Sequence, residues 1–209
     1  MPERLARQPA LGGERLLARG IRLGERAIGK IDLRGQPSER AFMSAVGRVL
    51  DLLLPTEPNT ALTKNRVSAL WLGPDQWLLT CPQGDSALFI NSLREALADT
   101  HCALTDVSDG RTALCVEGPS ARDVLAKGCP LDFHPRAFPP GSCAQTLLGK
   151  ADVLLHLRAE EPPVGACFDV YVGRSFADYL WTWLEDAGRE YGVQVAPPDE
   201  TGGFAPTGF

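Results

Sequence analysis

Apolar and polar residues alternate along this chain with two periods, and each change of period marks an element. Ile21–Leu23 and Ile28–Leu33 alternate at the two-residue spacing of a half-buried strand. From Ser38 to Leu54 the spacing lengthens, so that Phe42, Val46, Val49, Leu50 and Leu53 fall on one stripe of a helix that Pro55 stops. TEPNTALTKN then reads as a loop. Val67–Leu72 and Gln76–Cys81 form a strand pair about Gly73-Pro74-Asp75. A helix from Ser86 to Asp99 follows, with Phe89, Leu93, Ala96 and Leu97 on one face and Ser86 as its cap.

The stretch His101–Pro130 organises the rest. It reads as a strand (Ala103–Val107), the tight turn Ser108-Asp109-Gly110-Arg111, a second strand from Thr112, and a helix over Pro119–Lys127. Gly118 and Pro119 open that helix, Gly128 closes it and Pro130 bars its continuation. After the irregular loop LDFHPRAFPPG, Cys143–Leu148 and Ala151–Leu157 form a hairpin about Gly149-Lys150. The polar stretch RAEEPPVGA precedes a strand at Cys167–Val172. In the last helix Ser175 and Asp178 fit the S-x-x-D capping pattern. Phe176, Leu180, Trp183, Leu184, Ala187 and Tyr191 mark its inner face, Gly192 ends it, and Val193–Val195 is a final short strand.

The order strand, helix, two strands, helix, strand is the split β-α-β ferredoxin-like arrangement, and it starts again from Thr112. The predicted fold is therefore α+β, two interlocked ferredoxin-like halves in a single compact domain. Its pseudo-repeats span about 20–108 and 109–195, between an extended arm at 1–19 and an extended tail at 196–209. The tail APPDETGGFAPTGF has the composition of a segment that does not fold alone. Phe204 and Phe209 within it are either anchors on a partner or two exposed rings.

Charge adds one asymmetry. Residues 1–34 carry +4 and the remainder −9, a basic segment on an acidic body that either meets an acidic partner surface or is a solvated arm. The basic residues lack interleaved aromatics and the pI is about 5.3, which disfavours nucleic acid. No run is apolar enough to span a bilayer, and the N-terminal segment has no signal-peptide core, so the expected compartment is the cytoplasm. Six cysteines (Cys81, Cys102, Cys115, Cys129, Cys143, Cys167) contain no C-x-x-C pair, and His101, His134 and His156 sit apart from any ligand pattern. Structural thiols are the expectation over a metal or disulfide framework.

Each common catalytic constellation is missing: G-x-S-x-G, Walker A, H-E-x-x-H and G-x-G-x-x-G. Asp106 and Asp109 flank the central turn and make either a carboxylate pair or, more commonly for turn residues, caps of their own loop. Arg111 is placed to pair with one of them. Arg136 in the HPRAF loop either binds a carboxylate or braces the loop. Trp71 and Trp77, on either side of a turn, either stack on a flat cofactor ring or plug the end of a sheet, and the second is expected. No catalytic, cofactor-binding or metal residue is assigned.

The run from ALTDVSDGRTALCVEGPSARDVL through HPRAFPPG to GKADVLLHL, with WLGPDQWLL before it and FDVYVGRSFADYLWTWLEDAG after, resembles the gamma subunit of heterotetrameric sarcosine oxidase. The likeness covers most of the chain, from about Ile28 to Tyr191. More distantly, VEGPSARDVL and FDVYV…LWTWLEDAG look like parts of the glycine-cleavage aminomethyltransferase (T-protein) folate-binding fold, which intertwines ferredoxin-like halves. The resemblance implies a non-catalytic subunit of an oxidoreductase that demethylates sarcosine to glycine, with formaldehyde or 5,10-methylenetetrahydrofolate and hydrogen peroxide as products. It implies alpha, beta and delta subunits as partners, with FAD, FMN, NAD and tetrahydrofolate on those subunits. T-protein relatives carry R-T-G-Y-T-G-E before the strand that matches FDVYV; here RAEEPPVGA stands in its place, and no folate-binding residue is carried over. The alternative is a stand-alone folate-binding, aminomethyltransferase-like protein, for which Asp106 and Asp109 are the best pterin anchors. An unrelated α+β interaction module is a third reading.

Overall fold

The computed structural model describes residues 20–196. Eleven strands and four α-helices alternate along them. The first part comprises β1 (Ile21–Glu25), β2 (Ile28–Gly35), α1 (Arg40–Leu50), β3 (Ala61–Lys64), β4 (Val67–Gly73), β5 (Gln76–Pro82), α2 (Ser86–Ala96) and β6 (Cys102–Asp106). The second comprises β7 (Arg111–Gly118), α3 (Ala121–Ala126), β8 (Cys143–Leu148), β9 (Ala151–Glu161), β10 (Gly165–Gly173), α4 (Ala177–Gly188) and β11 (Val193–Val195).

These strands make two sheets. Six strands run in the order β11-β1-β7-β10-β9-β8 and five in the order β3-β4-β5-β2-β6. Every pairing is antiparallel except β1 with β11. The chain changes sheet twice. β1 lies beside β7, whereas β2 begins only after Arg26-Ala27 and pairs with β5 and β6. The second change is the Ser108–Gly110 turn. The sequence pattern placed this turn between two neighbouring strands; the structure places β6 and β7 in different sheets, so it is a crossover.

Alternation explains the layering. On the five-stranded sheet Ile31, Leu33, Ala69, Trp77 and Leu79 face α1 and α2. On the six-stranded sheet Val116, Leu155, Phe168 and Val170 face α3 and α4. The opposite faces meet each other through Ile28, Leu70, Leu78, Ala113, Leu154 and Tyr171. Helices thus cover both outsides and two sheets pack inside, the central strands burying both of their faces while the edge strands β3, β6 and β11 stay largely exposed.

Several elements differ from the sequence pattern. α1 ends at Leu50, because Asp51 adopts φ 50° and turns the chain; Leu53 is 70% exposed rather than on the buried stripe. The TEPNTALTKN segment is not wholly a loop, since Ala61–Lys64 pairs with β4 as an edge strand. Ile90, not Ala96, joins Leu93 on the buried face of α2. Ser86 does not cap α2: its hydroxyl donates to Asp106 Oδ2 at 2.7 Å. Pro119 precedes α3 instead of opening it. Ser175 sits in a 3-10 turn, Arg174–Phe176, and makes no cap bond. The polar RAEEPPVGA stretch extends the β9–β10 hairpin, pairing Glu161 with Gly165 across its turn.

Candidate functional site

Residues singled out from the sequence are scattered. The Asp106 carboxylate accepts the Ser86 hydroxyl at 2.7 Å and the Ser108 N–H at 2.9 Å. These bonds, those from Ser108 foremost, hold its pKa below the usual carboxylate range. It is a loop brace, the turn-capping alternative. Asp109 is exposed, and neither carboxylate makes an ion pair with Arg111 among the described residues. Arg136 is exposed at the tip of its loop. Trp71 and Trp77 face different cores. Trp77 is fully buried, with its Nε1–H on Pro55 O at 2.7 Å and its ring 5.9 Å from that of Phe42; Trp71 borders the inter-sheet core. Phe204 and Phe209, and residues 1–19 of the basic segment, lie outside the described residues.

Arg111 lines two clefts at the open end of the space between the sheets. One, of about 590 Å³, is walled by Gln145, Asp152, Leu154 and Gly173. The other, of about 290 Å³, holds Lys30, Ser108, Asp109 and Arg174. Lys30 is buried on the inner face of β2, its ammonium donating to Ile28 O at 2.8 Å. Burial lowers its pKa, and Glu25, Asp106 and Asp109 oppose that shift.

The densest chemistry lies where sequence spacing gave no motif. Inward-facing positions of β7, β9 and β10 bring together Cys115, Glu117, His156, Arg158, Cys167, Asp169 and Tyr171. Asp169, 1% exposed, forms ion pairs with Arg26 and with Arg158, the latter at 3.0 Å from Nε to Oδ1, and accepts the Tyr171 hydroxyl at 3.3 Å. Burial raises the Tyr171 pKa well above its ordinary value, and the Asp169 charge adds to that, so the phenol stays a donor. His156 is buried beside this cluster, and desolvation pushes its pKa down to about 4. At the far corner the Cys115 and Cys167 sulfurs stand 3.8 Å apart, and Arg158 Nη2 donates to Cys167 Sγ at 2.8 Å. The one hint in the sequence is an ionisable residue inside an otherwise apolar strand, Asp169 within FDVYV and His156 within VLLHL.

The sequence profile of the sarcosine oxidase gamma subunit family matches residues 34–190. The chain belongs to that family. The sarcosine oxidase subunit gamma of Corynebacterium sp. (strain P-1) is 32% identical over 163 residues, 78% of this chain and 76% of the relative. A chain of the solved heterotetrameric sarcosine oxidase from Corynebacterium sp. U-96, in complex with pyrrole 2-carboxylate, superposes with a TM-score of 0.75 at 30% identity. It covers 83% of this chain and 86% of that one. The glycine cleavage system aminomethyltransferase T of Bartonella henselae shares the fold at TM-score 0.64 and 16% identity, covering 90% of this chain and 51% of that one. This gamma-subunit chain thus carries the aminomethyltransferase T architecture over about half of that protein's length.

In this family member the LDFHPRAFPPG loop is fixed from below. Phe133 and Phe138 are buried against Phe168 at centroid distances of 5.8 and 6.0 Å. Arg122 on α3 grips the same loop, donating to Phe133 O at 2.5 Å and Phe138 O at 3.1 Å. It also grips Glu160 of β9 in a two-pronged pair at 2.8 and 2.6 Å. The loop's signature is therefore a packing signature.

Proposed function

We propose that the chain is a non-catalytic gamma subunit of a heterotetrameric sarcosine oxidase, a cytoplasmic complex with alpha, beta and delta partners. In this reading FAD, FMN, NAD and tetrahydrofolate reside on the other subunits. The complex oxidises sarcosine to glycine, with formaldehyde or 5,10-methylenetetrahydrofolate and hydrogen peroxide as products. The observation that carries it is the family match over residues 34–190, joined to the way the interior spends its polar groups. Asp169 is neutralised by two guanidinium groups and hydrogen-bonded by a phenol; a carboxylate so engaged braces strands and does not receive a substrate proton. Exposed Leu53 and Leu62, which line one shallow groove beside the β3 edge, fit a chain with surface to cover.

The topology supports the expected interlocking. The order β6-β2-β5-β4 is that of a ferredoxin-like sheet, and β7-β10-β9 repeats it with β1, from the other end of the chain, in the remaining place. A stand-alone folate-binding protein is the competing reading, favoured by the aminomethyltransferase T fold. Calorimetry of the purified full-length chain with tetrahydrofolate separates the two. The subunit reading predicts no saturable heat; micromolar binding by the solitary chain would overturn it.

A further inference from the structure

Cys115 and Glu117 alternate on β7 and so share its inner face, and Cys167 stands directly across from Glu117 on β10. The two sulfurs and a Glu117 carboxylate oxygen lie within 4.8 Å of one another, the one such grouping among the described residues. Two sulfurs bound to one tetrahedral zinc, each at about 2.3 Å, stand about 3.8 Å apart; here the separation is 3.8 Å. Glu117 Oε2 is buried and makes a long ion pair with Arg22 Nη1 at 3.8 Å, with no hydrogen-bond partner among the described residues. A buried carboxylate oxygen left in that condition is costly. A cation held between the Glu117 carboxylate and the sulfurs would offset that cost.

We infer that Cys115, Cys167 and Glu117 form a binding site for a thiophilic divalent cation of the zinc class, with the fourth position left to water. The two thiolates select against magnesium and calcium, which take oxygen ligands. Binding exchanges one divalent ion for two thiol protons, released to solvent, so the net charge of the buried cluster does not change. Arg158 donates to Cys167 Sγ and pairs with Asp169. That places it as an outer partner that orients the Cys167 sulfur. Spacing in the sequence hides the site, because the two cysteines are 52 residues apart and meet only through strand register. This inference is independent of the proposed subunit role.

The test is cobalt titration of the reduced, chelator-stripped full-length chain, followed by displacement with zinc. The expected result is one Co(II) per chain, with sulfur-to-cobalt charge-transfer absorption and the intense visible bands of a tetrahedral ion. Zinc should bleach both, and about two protons should be released per ion. Cys115→Ser and Cys167→Ser should abolish the charge-transfer band, and Cys81→Ser, in the other core, should retain it. Glu117→Gln, which keeps both thiols and the strand pair, should weaken binding at least tenfold with an unchanged circular dichroism spectrum. Three outcomes would overturn the site: no cobalt bound, equal binding by the Cys115→Ser/Cys167→Ser double variant, or a disulfide between these two cysteines in untreated protein.

Discussion

Arg158 Nε lies 3.0 Å from Asp169 Oδ1 in the interior between the two sheets, an ion pair without the alignment of a hydrogen bond. With Arg26 on the other carboxylate oxygen, Asp169 ties three strands of the six-stranded sheet together: β9, β10 and the end of β1. Such a cluster contributes little net stability compared with an apolar core, yet it is expensive to break, because removing one charge strands the others out of water.

Asp169→Asn should therefore destabilise the chain by about 3–5 kcal/mol. Urea unfolding followed by tryptophan fluorescence measures this directly. A loss under about 1 kcal/mol would show that Arg26 and Arg158 find other partners.

His156 gives the fold an acid limb. Its folded pKa is about 4, lowered by desolvation, against about 6.5 when unfolded. Between those values the unfolded chain holds the extra proton. Stability is thus complete above pH about 6.5 and falls as the pH drops toward about 4, by a few kcal/mol in total. His156→Gln should flatten that part of the stability–pH curve; an unchanged slope would assign the acid limb to other groups.

Arg122→Ala should detach the HPRAFPPG loop from both α3 and Glu160. We expect a loss of about 2–3 kcal/mol, since two carbonyls and a carboxylate lose a charged donor together. Arg122→Lys should recover less than half of it, because a single ammonium cannot reproduce the two-pronged pair. Faster amide hydrogen exchange confined to residues 131–142 is the local signature.

Trp77→Phe tests the other core. The ring packing on Phe42 survives, whereas Pro55 O loses the indole N–H. The expected cost is about 1–3 kcal/mol, compared with about 3–5 kcal/mol for Phe42→Ala. Equal costs for the two would show that the hydrogen bond, not the ring contact, dominates.

Much of the fold was legible because strands and helices carry their own periods. β2, β4, β5, the β8–β9 hairpin and α4 stand within a few residues of the positions the pattern gave. The errors share a cause. Ser86 and Ser175 fit a local capping rule, but tertiary partners and a 3-10 turn took over. Likewise β3 has one buried residue in four and no periodicity to read; pairing with β4 alone makes it a strand. The Ser108–Arg111 turn reads as a hairpin locally, and which sheet each flanking strand joins is a long-range choice. The cluster about Asp169 was illegible for the same reason: Arg26, Arg158 and Asp169 meet through register, not spacing.

The most direct test of the subunit account is to express the tagged chain with its chromosomal neighbours, weigh what it brings down by native mass spectrometry, and assay it with sarcosine. The account predicts a yellow complex of four different subunits that oxidises sarcosine, with the Asp169→Asn and Arg122→Ala chains lowering the yield of complex but not the turnover per assembled flavin. A chain recovered alone, or a complex whose turnover per flavin collapses on these substitutions at unchanged yield, would contradict it.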